Sequence, residues 1–271
     1  MMKSDILIII PHYNNLKGLE KSLASISNIE PVDVLIIDDG SNEENKPDCK
    51  ELKNKYKNIN SLYCLINDKN RGIEYVLNDG LKYALKHDYK YIARLDCGDI
   101  CCPERFRIQK EFLDKNPEIY LVGSYVEIVD TKGNTLFIYK PPIIHDEIRK
   151  KMCINNVFIH PSVMFRKEVI EEVGFYPLNY KYAEDYAFFY KIVKNLKVAN
   201  INKVLLKYEV NPTGISLSKR KIQLKSRIKV ILDFCDFSWI KAYSLIRNSI
   251  MFIVPYPIIL GIKRILLDRT E

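Results

Sequence analysis

The sequence predicts an α/β fold: a central, mostly parallel, Rossmann-like sheet flanked by helices, followed by a C-terminal helical appendage. Three observations carry that reading. Strand-type apolar runs alternate with segments of helical period four times before Arg105, the pattern of βαβ units joined by right-handed crossovers. Polar turns rich in Asp, Asn and Gly fall at the junctions His12–Asn15, Asp38–Ser41, Asn70–Gly72 and Asp96–Asp99, which should meet at one edge of the sheet. Past Asn211-Pro212-Thr213-Gly214 the chain turns to helices.

Taken in order, Asp5–Ile10 is a continuous apolar run of strand type that Pro11, His12, Tyr13, Asn14 and Asn15 break. Asn14 or Asn15 suits the cap of a helix whose Leu16, Leu19, Leu23 and Ile26 share one face. Val32–Ile37 is the second strand, a charged helix lies near Lys50–Tyr56, and Ser61–Ile66 is the third strand. Asn70-Arg71-Gly72 starts a helix lined by Ile73, Val76, Leu77, Leu81, Ala84 and Leu85, and Tyr91–Leu95 is the fourth strand. Pro103 opens the next helix where its missing N–H does no harm, and Phe106–Lys115 continues it. Ile119–Val129 is a long strand that turns at Asp130-Thr131-Lys132-Gly133-Asn134 into Thr135–Tyr139. A short helix near His145–Met152 precedes a strand-like run, Val157–Arg166. Ala183-Glu184-Asp185 opens the helix Tyr186–Lys194, and two short strands, Lys197–Ile201 and Val204–Val210, close the domain.

The 271 residues suffice for one large domain with its own core plus an appendage. Seven cysteines are an odd count at irregular spacings. Cys97, Cys101 and Cys102 crowd one loop, but no second cysteine or histidine pair completes a zinc site. Reduced thiols in a cytoplasmic protein are therefore expected. The amino terminus enters a short apolar strand directly, too short for a signal h-region or a membrane span. Charge is uneven: from Ser216 onward there are 11 Lys/Arg and 4 Asp/Glu, against 31 and 30 before it. An anionic partner for that last segment would explain the excess, and so would a solvated basic face.

Two pairs of acids stand where chemistry is expected. Asp96 and Asp99 follow the fourth strand, and ligands of open α/β sheets bind outside strand carboxyl ends. Such a pair suits a divalent cation held against a diphosphate, although a capping loop would use the same residues. Glu184 and Asp185 open a helix and, taken alone, read as its caps, with the Asp kept ionised by the helix N-terminus.

The runs IIIPHYNN, VLIIDDGS, NRGIEYVLNDGLKYA, RLDCGDICCPERF, HPSVMFRK and AEDYAFF resemble, in order and spacing, the motifs of family 2 glycosyltransferases with the GT-A fold, from about Ile6 to Tyr208. The resemblance implies inverting transfer of a sugar from a nucleoside diphosphate, usually UDP, to an acceptor hydroxyl. It divides the chain into a transferase domain over 1–212, with a nucleotide-binding half (1–105) and an acceptor half (106–212), and a helical region over 213–271. By position it implies that Pro11 and Tyr13 border the nucleotide and that Asp39 accepts a hydrogen bond from the uracil imide. Asp38 would support the turn, and Arg71 would lie in the nucleotide-side loop. Asp96 falls on the first acid of the metal motif for Mg²⁺ or Mn²⁺. That motif's usual third residue is Gly98 here, with Asp99 after it. Either Asp99 swings in, or Asp96 coordinates with water, or metal dependence is weaker. Asp185 matches the general base, with Glu184 beside it. His160 would contact the diphosphate or donor sugar, or else pack in the core.

The resemblance further implies a cytoplasmic-face enzyme of O-antigen, lipopolysaccharide or capsule synthesis acting on a glycan or a lipid-diphosphate-linked acceptor. The tail suits that role. Trp239–Leu267 is apolar and aromatic, and its uncharged stretch Asn248–Ile262 is short for a span and interrupted by Pro255 and Pro257. It reads as interfacial, with Trp239, Tyr243 and Tyr256 near headgroups and Lys263-Arg264 facing anionic lipid, or as helices packed on the main domain. Peripheral membrane association through 216–271 is the expectation, and nucleic acid is not. A nucleotidyltransferase would carry a Gly-rich phosphate loop where PHYNN stands. A non-catalytic sugar- or membrane-binding relative is opposed by Asp39, Asp96 and Asp185, while Gly98 leaves it open.

Overall fold

A computed structural model describes residues 4–210 and 219–254. The boundary at Asn211–Gly214, and the tail features at Pro255, Tyr256, Pro257 and Lys263-Arg264, lie outside the described residues. The first half alternates as the sequence predicts: β1 (Ile6–His12), α1 (Leu16–Ser25), β2 (Val32–Asp38), α2 (Cys49–Lys55), β3 (Ser61–Ile66), α3 (Ile73–Lys86) and β4 (Tyr91–Arg94). These four strands are parallel in the order β3-β2-β1-β4. Alternate residues of the buried strands face opposite sides. Leu7, Ile9, Leu35 and Ile37 pack with α3 in one core, and Ile6, Ile8, Ile10, Val34 and Ile36 pack with α1 and α2 in the other.

Pro11 does not end β1. The strand runs on to His12, which pairs with Asp38 in register, and the Asp39 amide donates to the His12 carbonyl at 2.8 Å. A proline near a strand's end removes one donor and leaves the carbonyl ladder intact.

The second half adds β5 (Ile100–Cys101), α4 (Arg105–Lys115), β6 (Ile119–Val129), β7 (Thr135–Tyr139), α5 (His145–Met152), β8 (Met164–Arg166), α6 (Glu168–Val173), α7 (Glu184–Asn195) and β9 (Lys197–Glu209). The nine-stranded sheet runs β3-β2-β1-β4-β8-β6-β9-β5, with β7 on β6. Two elements differ from expectation. Val157–Arg166 is a strand only at Met164–Arg166, because Pro161 sits in a 3-10 turn, His160–Ser162, closed by the Ser162 amide and hydroxyl on the Ile159 carbonyl. The last two strands are one, β9, whose register against β6 shifts around Tyr125 where a break was expected.

Two helices follow, α8 (Arg220–Phe234) and α9 (Ser238–Ile253). They form an antiparallel hairpin, since Arg220 at the start of α8 donates to the Met251 carbonyl near the end of α9. Leu224, Val230 and Ile231 are buried, the last two in the core that holds α7. Cysteine pairing also departs from expectation: Cys49 is bonded to Cys64 and Cys153 to Cys235, leaving Cys97, Cys101 and Cys102 as thiols. The second bond ties the α8–α9 turn to the end of α5.

Candidate active site

The strand ends do converge. Asp38 is fully buried, its Oδ1 at 2.7 Å from His12 Nδ1, and Ser41 donates to it through both amide and hydroxyl. Asp39 reaches to the next loop, where its Oδ1 accepts from the Arg71 amide and its Oδ2 from the Gly72 amide, each at 2.9 Å. Gly40 allows that approach: its φ is +74°, and a Cβ there would stand 2.5 Å from the Lys69 backbone. Asp39 Oδ1 also accepts from the Asn67 side chain at 3.4 Å, so Oδ2 is the oxygen that keeps a lone pair for a ligand. The Arg71 guanidinium turns along α3 to Asp79, at 2.7 Å, while Tyr13 is exposed at the rim. Pro11 contributes its carbonyl, which accepts from the Cys97 thiol at 3.3 Å.

Past β4 the two acids part. Gly98, at φ +106°, buckles the loop, and its amide donates to the Ser22 hydroxyl. Ser22 in turn donates to the carbonyls of Asp96 and Asp99. Asp96 keeps a half-exposed carboxylate whose Oδ1 accepts from Arg94 Nη2 at 2.5 Å. Asp99 turns into the fold: its Oδ1 accepts from the Glu209 amide at 2.9 Å and its buried Oδ2 has no partner. Burial, and after it the charge of Asp96, hold the Asp99 carboxyl well above the ordinary range. Among the described residues no three ligand-type side chains gather as a preformed metal cage. The donor chemistry still fits a cation of the Mg²⁺ type at Asp96, because such ions take one or two carboxylates and complete their shell with phosphate oxygens and water.

Arg94 holds this corner from within the sheet. It is 1% exposed, donates to the Ile9 carbonyl, and its own carbonyl accepts from the buried Arg105. An arginine inside the run YIARL, followed by Arg105 just after Pro103, is the signal that strand reading passed over.

Across the cleft, α7 begins at Glu184, with Ala183 as its cap, so neither acid occupies the capping position. Asn156 donates to Asp185 Oδ2 at 3.0 Å. Burial raises the Asp185 pKa, while the first-turn amide of Tyr186, Asn156 and the nearby Arg227 favour its charged form. Glu184 is buried with Oε2 unpartnered, and desolvation, then the Asp185 charge, push it up to about 8. Glu184, pushed up to about 8, therefore keeps its proton at neutral pH. Asp185 feels the charge of Asp96, and Tyr176 feels both acids of the pair as well as Asp96 and Arg94, so the two corners lie near each other.

His160 Nε2 lies 2.9 Å from the Tyr176 hydroxyl, edge-on to Phe189. Burial, then the charge of Arg94, keep its pKa well below the usual value. It is a neutral, packed ring. His12, Asn156 and Arg227 were not singled out from sequence.

The sheet thus carries Asp38, Asp39 and Asp96 at or just past strand ends, and Glu184 and Asp185 open a helix near them. Residues 7–174 match the model of Glycosyl transferase family 2. The amylovoran biosynthesis glycosyltransferase AmsE of Erwinia amylovora is 29% identical over 252 residues, 89% of this chain and 91% of that protein. The UDP-Gal:alpha-D-GlcNAc-diphosphoundecaprenol beta-1,3-galactosyltransferase of Escherichia coli is 30% identical over 238 residues, 86% and 83% of the two chains. The mannosyltransferase PcManGT of Pyrobaculum calidifontis, solved with GDP-Man and Mn²⁺, superposes with a TM-score of 0.63 at 15% identity over 98% of this chain and 81% of that one. The chain belongs to glycosyltransferase family 2 and is a nucleotide-sugar-dependent glycosyltransferase.

Proposed function

We propose that the chain moves a sugar from a UDP-sugar, with inversion, to a hydroxyl of a lipid-linked glycan acceptor during assembly of a bacterial surface polysaccharide. The observation that carries this is Asp185 in the first turn of α7, held by Asn156 and near enough to Asp96 to feel its charge. Asp185, oriented by Asn156, takes the proton of the acceptor hydroxyl as its oxygen attacks the anomeric carbon. Asp96, held by Arg94, lies on the leaving side, so attack and departure are on opposite faces. A divalent cation bound at Asp96 would neutralise charge on the departing diphosphate. Asp38, Asp39 and the Arg71–Gly72 amides form the nucleotide end, with Pro11 and Tyr13 at its border. Glu184 stays protonated at neutral pH and adds no charge beside the base.

The acceptor class rests on the galactosyltransferase relative, whose substrate is a sugar on diphosphoundecaprenol, and on α9. Its outer stripe, Trp239, Tyr243, Ile246, Ile250 and Ile253, is spaced at helical period and exposed, Trp239 by 91%. Joined to the basic excess after Ser216, it suits an anionic bilayer surface at the cytoplasmic face. No described helix is long and apolar enough to cross a membrane.

The test is UDP release across a panel of UDP-sugars with membrane-extracted acceptor. Asp185→Asn should bind UDP as the parent does and lose about a hundredfold or more in turnover. Unchanged turnover in that variant would remove Asp185 as the base.

A further inference from the structure

α8 packs on the core through an apolar face, whereas α9 exposes an apolar stripe and buries polar side chains. The apolar stripe of α9 faces out, while Ser244 and Asn248 are fully buried and Arg247 sits between them on the inner side. Eight buried side-chain polar atoms among the described residues lack a hydrogen-bond partner, and four lie here: Arg227 Nε, Ser244 Oγ, Arg247 Nη1 and Asn248 Oδ1. Folded proteins pair nearly all such atoms. Two orphaned guanidinium donors in one place, without a bonded carboxylate among the described residues, are costly unless an anion joins them.

The two arginines are neighbours: the charge of Arg247 bears on both Arg227 and Tyr186. They also adjoin the base. Arg227 donates to the Asn155 side chain, and the next residue, Asn156, donates to Asp185. Arginine forks match phosphate oxygens two at a time.

We infer that Arg227 and Arg247 form a phosphate subsite beside Asp185 that holds the diphosphate of a lipid-linked acceptor while its sugar hydroxyl lies at the base. The inference rests on the proposed acceptor class and deepens it. The donor diphosphate has its own corner at Asp96 and Arg94. An acceptor gripped on the inner face of the hairpin has its lipid tail close to the bilayer on which the outer stripe docks.

The test uses the full chain saturated with UDP and farnesyl diphosphate as a short-chain probe, with inorganic pyrophosphate beside it, followed by titration calorimetry. The parent should bind farnesyl diphosphate on top of UDP, and Arg227→Gln and Arg247→Gln should each weaken it by about tenfold or more. Both should keep UDP affinity, which also reports that they fold. Arg227→Lys, which keeps the charge and loses the fork, should recover part of the affinity. Equal binding in parent and variants overturns the subsite, as does no binding to the UDP-loaded parent. Loss of UDP affinity in the variants gives the arginines to the donor and overturns the acceptor assignment. Pyrophosphate binding as tightly as farnesyl diphosphate, with equal losses, means a free-anion site and overturns it too. A chain that binds farnesyl diphosphate through these arginines but turns over no UDP-sugar would sink the transferase reading alone.

Discussion

Replacing Glu184 by Gln should make the protein more stable, by an amount that grows with pH. In the folded chain burial and the Asp185 charge lift the Glu184 pKa from its ordinary 4.5 to about 8. Between those values the native state keeps a proton that the unfolded chain has released. Stability from this group is thus fully present below about 4.5 and is lost as pH rises toward 8. The slope is about 1.4 kcal/mol per pH unit, which accumulates to roughly 3 kcal/mol at pH 7. Glutamine has the same shape and no proton to lose. Urea unfolding of parent and E184Q from pH 5 to 9 should therefore give curves that nearly meet at the acid end, diverge through neutrality and run parallel above about pH 8. A stability difference that does not change with pH would show that Glu184 is ionised throughout and that its raised pKa is wrong.

Ile231→Ala should cost about 2–5 kcal/mol in urea unfolding, because a fully buried side chain between α8 and the main core would leave a cavity. Gly98→Ala should destabilise by about 1 kcal/mol through its positive φ alone, since a Cβ there meets Glu209 only at an ordinary 3.7 Å. Trp239→Ser and Tyr243→Ser should each lower co-sedimentation with anionic vesicles by about tenfold, with melting unchanged, because each removes an exposed apolar contact. Point substitutions are the informative form of that experiment. Removing the chain from Ser216 onward would also take Leu224, Val230 and Ile231 out of the core and break the bond to Cys153.

The alternating half of the fold was readable because periodicity and strand-end turns repeat the same local physics at each unit, and there most boundaries fall within a residue or two. What escaped was set by distant partners. Val157–Arg166 has strand composition, but the 3-10 turn at Pro161 overrides it. Arg94 reads as an oddity in an apolar run until Asp96, Ile9 and Arg105 surround it. Asp96 and Asp99 look equivalent in sequence, and only the Glu209 amide, far along the chain, separates a half-exposed acid from a buried one. The tail offered two readings, membrane face or packed helices. The hairpin has a packed α8 and, on α9, an apolar stripe left exposed.

The position of β9 bears on the order in which the molecule is completed. This strand is made last yet lies inside the sheet, between β6 and β5. Until it arrives, β5 has no neighbour for Ile100 and Cys101, and Asp99 has no amide at Glu209 to turn toward. A nascent chain can assemble the first four parallel strands early, with Ser22 and Arg94 already holding the loop at Asp96, but the inward turn of the Asp99 carboxylate waits for about a hundred further residues, so long-range pairing governs it. A fragment ending at residue 174, where the family match stops, would lack both that strand and the proposed base. The inward turn of Asp99 and the helix carrying Asp185 thus depend on the same later stretch of chain.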